Sequence, residues 1–377
     1  MAKDIDRLSG QGRLVIVAGM QFGSEGKGEI VSHLAPVMSL GVRTGKPNAG
    51  HTNYFHGVKF VMRQIPCAWV NPIAKLIIGV GAVISLPLLL EEIKLIERYL
   101  PIRRRLYIDH RAHIIQDEHI ERESQGDLVA RIGSCSATAR EGIGTATAAK
   151  VLRERSCVLA RDVPELRPYC IDTVDLINTA LDQGQYVLLE GTQGFGLSLE
   201  HGYFPFVTSH DTSTSALAAS IGVNHADFNT DVIGVVRTFP IRVAGNSGPF
   251  DPDSKEVSWR WPERFARVKT RERSKRAKTD ITEYTSVTKK VRRVATFSRE
   301  GFRRACQVNR PTEIALTFAD YLDWAVHETE RITPRIETFI EIIEEIAEVP
   351  VTLVKTGPKT TVDFDPYRRN ILRRLAI

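Results

Sequence analysis

Cysteine is scarce and unpatterned. The chain has five (Cys67, Cys135, Cys157, Cys170 and Cys306), an odd number with no Cys-x-x-Cys pair. That argues against a disulfide framework or a thiolate zinc site and for a reducing cytoplasm. Long hydrophobic runs are also missing. The most apolar stretch, "LIIGVGAVISLPLLL" (residues 76–90), is broken by two glycines and Pro87 and is too short for a membrane span. A buried strand leading into a helix is expected there. "MAKDIDRLSGQGR" at the start has no apolar signal core. Internal repeats and a clear linker are absent as well. The net charge of +6 gathers in "RFARVKTRERSKRAK" (264–278) and "KKVRR" (289–293). These runs read as a nucleic-acid patch, a solvated loop or a set of cations for small anions. Apart from Phe265 no aromatic interrupts them, so stacking platforms for a nucleic acid are lacking. Neither nucleic acid nor membrane is expected as a partner.

What is there is a sequence of apolar strand-like runs alternating with helical periodicity. "RLVIVAGM", "KLIIGVGAVI", "RLYID", "QYVLLEGTQG" and "DVIGVVRTFPIRV" read as buried strands. "EIVSHLAPVM" and "LPLLLEEIKLIERYL" read as helices, the second with Pro87 in its first turn. "IEIIEEIAEVPVTLVKTGP" (340–358) reads as helix, turn, strand and loop. The expectation is an α/β fold: a mostly parallel central sheet, helices on both faces, and inserted loop and helical subdomains. Residues 1–377 form one large domain in this reading, with a polar insertion around 251–283. Ligands in such sheets bind beyond the C-terminal strand ends. Two glycine loops, at 19–28 and 191–196, follow strands and should face that crevice.

The first loop, "GMQFGSEGKGEIVS" (19–32), resembles a phosphate loop but has the wrong spacing for a Walker sequence. Six residues separate Gly19 from Gly26, and no hydroxyl follows Lys27. Flexible backbone N–H groups, a cation and a helix N-terminus still favour a polyphosphate. Mg²⁺ must then be held elsewhere than by the usual hydroxyl. "PNAGHT" (47–52) puts His51 after a glycine in a polar turn. Alone it reads as structural; beside a phosphate loop it is a candidate donor to a transferring phosphoryl group.

Taken together, "GMQFGSEGKGEIV", "NAGHT", "EGTQG", "HGYFPFVTS" and "KTGP" resemble, in order and approximate spacing, the adenylosuccinate synthetase family. The resemblance runs from about residue 14 to 369, although an excursion that usually follows the segment matching "TFADYLD" is largely missing. It implies a ligase. O6 of a purine monophosphate attacks the γ-phosphate of a nucleoside triphosphate, and the amino group of L-aspartate then displaces the phosphate. By resemblance, Gly23, Glu25, Gly26, Lys27 and Gly28 hold the triphosphate, with Asp320, Gly357 and Pro358 around its base. His51, Lys27, Gln193 and Ser24 stand at catalytic positions, and Gly50 and Ser24 at those facing Mg²⁺. Asn48, Ser134, Gln193, Thr208 and Ser24 match the monophosphate site. Arg153 matches an arginine that reaches the partner's monophosphate, which implies a homodimer. Thr288, Lys290 and Arg292 match the loop that clamps aspartate, with Lys290 where an arginine is usual.

Three departures bear on substrate. The family loop has aspartate, which takes the N1 proton of IMP and touches the metal, where this chain has Ser24. Glu29 replaces a lysine. The Thr-Lys-Leu-Asp segment that frames guanine is "TFAD", with Phe318 in place of the lysine. Serine in the loop resembles the viral branch of the family, 2-aminoadenylosuccinate synthetase, which takes dGMP. A serine leaves room for the C2 amino group of guanine and offers it an acceptor. The expected reaction joins L-aspartate to C6 of dGMP, driven by ATP or dATP with Mg²⁺. An ordinary synthetase acting on IMP and a non-catalytic nucleotide-binding homologue are the alternatives.

Overall fold

Alternation within "RLVIVAG" decides how the first strand is used. Arg13–Gly19 lies in the middle of a sheet, and its successive side chains enter opposite cores. Val15 and Val17 join Ile30 and Leu34 of helix Lys27–Leu34 and Leu89 and Ile93 of helix Leu86–Ile96. Leu14, Ile16 and Ala18 join Ile177 and Leu181 of helix Thr173–Asp182 and Leu217 of helix Thr214–Ala219. All five strand side chains are essentially inaccessible to water. Truncating one such side chain, Ile16→Ala for example, costs roughly 2–5 kcal/mol. A third core lies farther along the sheet, where Ile336, Ile340 and Ile343 of helix Pro334–Ala347 meet Ile314, Leu316 and Val351.

The computed structural model describes residues 12–126, 141–262, 281–284 and 290–364. Its main sheet has ten strands, in the order Cys170–Ile171, Leu106–Asp109, Lys75–Ile78, Leu40–Arg43, Tyr186–Glu190, Arg13–Gly19, Asn229–Arg237, Glu313–Thr317, Val351–Lys355 and Thr361–Asp363. Every neighbouring pair is parallel except the last. The mostly parallel sheet with helices on both faces is therefore present as expected from sequence.

Two expected strands are shorter than their apolar runs. "KLIIGVGAVI" stops at Ile78, and Val83–Ile84 pairs instead with His113–Ile114 in a separate small sheet. The two glycines between them sit too close to neighbours for a side chain: a Cβ on Gly81 would lie 2.8 Å from that of Ser220. "DVIGVVRTFPIRV" divides as well. Asn229–Arg237 stays in the main sheet, while Ile241–Arg242 pairs with Arg293–Ala295, which also pairs with Glu256–Val257. Pro240 lies between the two pieces and has no N–H to continue a ladder. Of the polar insertion, residues 251–262 and 281–283 are described and 263–280 lie outside the described residues. Among the described residues, no helix is long and apolar enough to cross a membrane.

Candidate active site

Several buried, mainly apolar strands end in charge. Arg43, Asp109, Glu190, Arg237 and Lys355 each close a buried strand at its C-terminal end, and all five are buried. A buried charge needs a partner, so networks form along this edge, and the candidate residues gather among them.

The phosphate loop is held by its own carboxylate. Glu25, fully buried, accepts hydrogen bonds from the N–H groups of Gln21 (3.2 Å) and Gly23 (2.8 Å) and from Lys27 Nζ (2.5 Å). Lys27 Nζ also donates to the carbonyl of Gln193. Glu25 was expected in the triphosphate site; its carboxylate shapes the loop and holds Lys27. Gly26 takes the left-handed conformation at φ 84° that starts helix Lys27–Leu34. Gly19 is where Lys27 and Glu25 approach the backbone: a Cβ there would lie 2.7 Å from both. The loop is also tied outward, because Thr317 Oγ1 donates to the Glu25 carbonyl at 2.8 Å.

Ser24 sits exposed at the apex with φ 57°. Its hydroxyl accepts from Arg292 Nη1 at 2.6 Å, and its carbonyl accepts from Arg237 Nη1 at 2.9 Å. Two segments assigned from sequence to different ligands, the phosphate loop and the aspartate clamp, therefore touch through Ser24 and Arg292. Lys290 is exposed. Ser134 and Thr288 lie outside the described residues.

Glu190, which sequence reasoning passed over, organises the histidine. It accepts from His51 Nδ1 at 2.5 Å, Arg43 Nη1 at 3.1 Å and the backbone N–H of Cys67 at 2.6 Å. Burial pushes its carboxyl up, but Arg43 and the hydrogen bonds from His51 and Cys67 outweigh this and hold it below the usual range. An ionised Glu190 can only accept, so His51 carries its proton on Nδ1. Burial, then Arg43, lowers His51 to about 4 against the pull of Glu190. The imidazole is neutral at pH 7 with the lone pair on Nε2. His51, Cys67 and Glu190 offer potential metal ligands within 4.8 Å of one another. With the Arg43 guanidinium on the same carboxylate, the trio reads as a hydrogen-bonded network. Oxygen donors better suited to Mg²⁺ are the Gly50 carbonyl and the Ser24 hydroxyl, both on exposed residues. They suit an ion that arrives bound mainly to phosphates.

The monophosphate candidates are partly assembled. Gln193 Nε2 donates to Asn48 Oδ1 at 3.1 Å. The backbone N–H of Thr208 donates to Leu197 O, and the next residue, Ser209, accepts twice from Lys46 Nζ, at 2.8 Å through Oγ and 2.9 Å through its carbonyl. Lys46 is a second residue missed from sequence. It is 3% exposed, donates otherwise to Thr147, and is lowered by burial to about 7. With Lys150 it lines a cavity of about 240 Å³ beside Ser209 and His210. Arg153 stands apart, exposed at the C-terminus of helix Ile143–Leu152 next to exposed Val151 and Leu152.

On the other side of the phosphate loop, Phe318 adopts φ 57° and carries the Arg237 guanidinium over its ring at 3.8 Å, so that face is covered. Asp320 is 3% exposed and accepts from His327 Nδ1 at 2.8 Å. Burial, opposed by His327, raises it to about 6. Gly357 is buried and Pro358 exposed at the end of the neighbouring strand. Glu29, in place of the family's lysine, lies 3.6 Å from Lys355 Nζ and accepts from the N–H of Tyr54 at 2.6 Å.

Comparisons with known proteins agree with this geometry. The adenylosuccinate synthetase family model matches residues 16–163 and 158–327. The adenylosuccinate synthetase of Archaeoglobus fulgidus is 38% identical over 356 residues, covering 92% of this chain and 96% of the relative. That of Methanocaldococcus jannaschii is 37% identical, covering 93% and 96%. Among solved structures, the succinoaminodeoxyadenylate synthetase (PurZ) of cyanophage S-2L, bound to dGMP and to dATP as energy donor, superposes with a TM-score of 0.75 at 29% identity, over 93% of this chain and 94% of that one. Fully ligated adenylosuccinate synthetase from Plasmodium falciparum shares the fold, with a TM-score of 0.77 at 20% identity over 94% of this chain and 100% of that one. The family match and the archaeal relatives carry the conclusion that this chain belongs to the adenylosuccinate synthetase family of ligases.

Proposed function

We propose that the chain condenses L-aspartate with C6 of dGMP, driven by ATP or dATP, through a 6-phosphoryl intermediate. The products are 2-amino-2′-deoxy-N6-succinyl-AMP, ADP or dADP, and phosphate. The observation that carries this reading is Ser24, a hydroxyl at the apex of the phosphate loop where the family resemblance has aspartate. The likeness to the S-2L enzyme, whose structure is bound to dGMP and dATP, supports it. A carboxylate aimed at N1 of a purine would crowd the neighbouring C2 amino group; a hydroxyl accepts from that group instead.

The surrounding residues fit the reaction. Mg²⁺ would reach the site with the triphosphate, next to the Gly50 carbonyl and the Ser24 hydroxyl, and would offset phosphate charge. Lys27 is placed by Glu25 and the Gln193 carbonyl to meet the same phosphates. His51, anchored on Glu190, presents Nε2. A triphosphate beside it favours the imidazolium, so nucleotide binding should draw in a proton that then supports the phosphoryl oxygens. Glu25 is committed to the loop, which leaves water or the 5′-phosphate to take the N1 proton. Arg292 belongs to the clamp for the dicarboxylate of aspartate. The chain acts in this reading as one large unit and as a homodimer, in which the exposed Arg153 completes the neighbouring monophosphate site.

The competing reading is an ordinary synthetase using IMP. It is favoured by the archaeal relatives, whose 34–38% identity exceeds the 29% shared with the phage enzyme. Aspartate-dependent phosphate release with dGMP and with IMP, measured on wild type and Ser24→Asp, decides between them. Wild type should prefer dGMP. Ser24→Asp should move the kcat/KM ratio towards IMP at least ~tenfold, about 1.4 kcal/mol of differential transition-state binding. Aspartate tolerates the left-handed backbone at this position. It would also pair with Arg292, raising the KM for L-aspartate for both purines alike, so the ratio is taken at saturating aspartate. A wild type that prefers IMP, or a ratio untouched by the substitution, would remove the dGMP assignment.

A further inference from the structure

A nucleoside triphosphate seated on loop 19–28 must place its base beside the loop, and the chain offers a wall there. A Cβ on Gly26 would lie 3.8 Å from the Phe318 ring, so the loop abuts the end of strand Glu313–Thr317. One tight turn later comes Asp320, and His327 folds back onto it. The N–H of Glu328 donates to the Thr356 carbonyl at 3.1 Å, which ties the residue after His327 to the chain at Gly357. Phe318, Asp320 and His327 thus follow one another from the loop 19–28 towards the strand end that carries Gly357.

A carboxylate with both oxygens free is a double acceptor. It matches the edge of guanine, which offers N1–H and a 2-amino group side by side. Asp320 is not free in this way. One oxygen accepts from His327 Nδ1, and the imidazole stands in front of it, stacked on Trp324 at 3.8 Å between ring centroids with 12° between planes. With its proton on Nδ1, the ring has a lone pair on Nε2. Among the described residues Nε2 has no hydrogen-bond partner, and the side chain is 31% exposed. The imidazole therefore replaces two adjacent acceptors with one. Adenine offers one exocyclic amine beside a ring nitrogen that itself accepts, and so matches a single acceptor and not a pair.

We propose that His327 is a specificity-determining residue for the phosphoryl donor: held by Asp320 and stacked on Trp324, it reads the 6-amino group of an adenine nucleotide and keeps guanine from the Asp320 carboxylate. The inference rests on the assignment of loop 19–28 to a triphosphate and deepens the ATP or dATP reading. It has an unusual consequence. Removing His327 uncovers a guanine-reading group, so the variant should gain relative affinity for guanine nucleotides as well as lose affinity for adenine nucleotides.

The test is equilibrium binding, by calorimetry with Mg²⁺, of non-hydrolysable ATP and GTP analogues to wild type, His327→Ala and His327→Ala/Asp320→Asn. Wild type should bind the ATP analogue more tightly. In His327→Ala the ratio of dissociation constants should move towards GTP at least ~tenfold, and the added Asp320→Asn should cancel that gain. A merely structural histidine would weaken both analogues alike. An unchanged ratio in a folded His327→Ala protein would overturn the inference while leaving the ATP reading intact. A wild type that prefers the GTP analogue would overturn the inference together with the donor assignment. Because binding needs neither monophosphate nor aspartate, neither result depends on whether dGMP is the substrate.

Discussion

Glu190→Gln keeps the shape of the side chain and removes its charge, which makes it a sharp probe of the buried network. Three donors converge on the carboxylate: His51 Nδ1, Arg43 Nη1 and the N–H of Cys67. A glutamine has one acceptor oxygen and an amide that must donate. Cys67 holds one oxygen, while Arg43 and His51 share the other. If the glutamine oxygen stays with Cys67, the amide faces both Arg43 and Nδ1, and the imidazole must move its proton to Nε2, the wrong tautomer for accepting a proton there. At the 3.1 Å separation of the Arg43 pair, Coulomb attraction at an effective dielectric constant near 20 is about 5 kcal/mol. Stranding a buried charge costs ~3–5 kcal/mol in stability. Loss of a carboxylate that sets a histidine's tautomer costs up to ~10⁴-fold in rate in the serine proteases. Here kcat should fall by ~10³-fold, some 4 kcal/mol in the barrier. The KM for the monophosphate should hardly change, because Glu190 is assigned to neither substrate. Tm should drop by several degrees, and Glu190→Asp should restore part of both. Steady-state phosphate release, with a melting curve on each variant, measures this. A folded Glu190→Gln enzyme with kcat within threefold of wild type would refute the assignment of Glu190 as the residue that positions His51.

Two further outcomes follow from the same structure. Burial lowers His51 and His113 to about 4 and His210 to about 3, so each is neutral in the fold and takes up a proton on unfolding between those values and the ordinary histidine range. The stability they confer is complete above pH ~6.5 and is lost as the pH falls towards 4. His113→Phe should make urea stability depend less steeply on pH in that window, by roughly 1.4 kcal/mol per pH unit at most, and an unchanged slope would contradict the shift. For the proposed dimer, mixing Arg153→Ala subunits with Lys27→Ala subunits should regenerate activity, because one of the hybrid sites would be intact. Absence of recovery after demonstrated subunit exchange would argue against a shared site.

Much of the fold was legible because it depends on local periodicity. Continuous apolar runs of strand length, alternating with helical spacing and punctuated by glycine loops, leave few arrangements other than a parallel sheet covered on both faces. The errors came where tertiary crowding overrode an apolar run. Nothing in "KLIIGVGAVI" says that the chain turns at Gly79 and continues in a different sheet; the cause is the neighbouring backbone at Ser220, far away in sequence. The glycine loops were legible for the opposite reason, since a left-handed Gly26 and a crowded Gly19 leave a mark in the sequence itself.

The site divides in the same way. Lys27, His51 and Gln193 stood out because they lie in compact motifs. Glu190 and Arg43 did not, because their meaning is a contact across 147 residues. A signal was nonetheless present. A full charge closing an otherwise apolar strand, as in "YVLLE", "LGVR", "VIGVVR" and "VTLVK", cannot stay buried without a partner. In a parallel sheet the C-terminal strand ends share one edge, so those partners must lie near one another and near the ligand. His327 carried no such mark. It follows "TFADYLD", where the usual excursion of the family is largely missing. In this fold the shortened segment returns directly to Asp320 and stacks His327 on Trp324. Ser24 is the intermediate case: its departure from the family loop was legible and carries the proposed change of substrate, but its bond to Arg292 was not legible. That bond gives the serine a second consequence. In the proposed reading an aspartate at the same place would pair with Arg292 as an ion, whereas the neutral hydroxyl holds that arginine at 2.6 Å without neutralising the charge it offers to the amino-acid substrate.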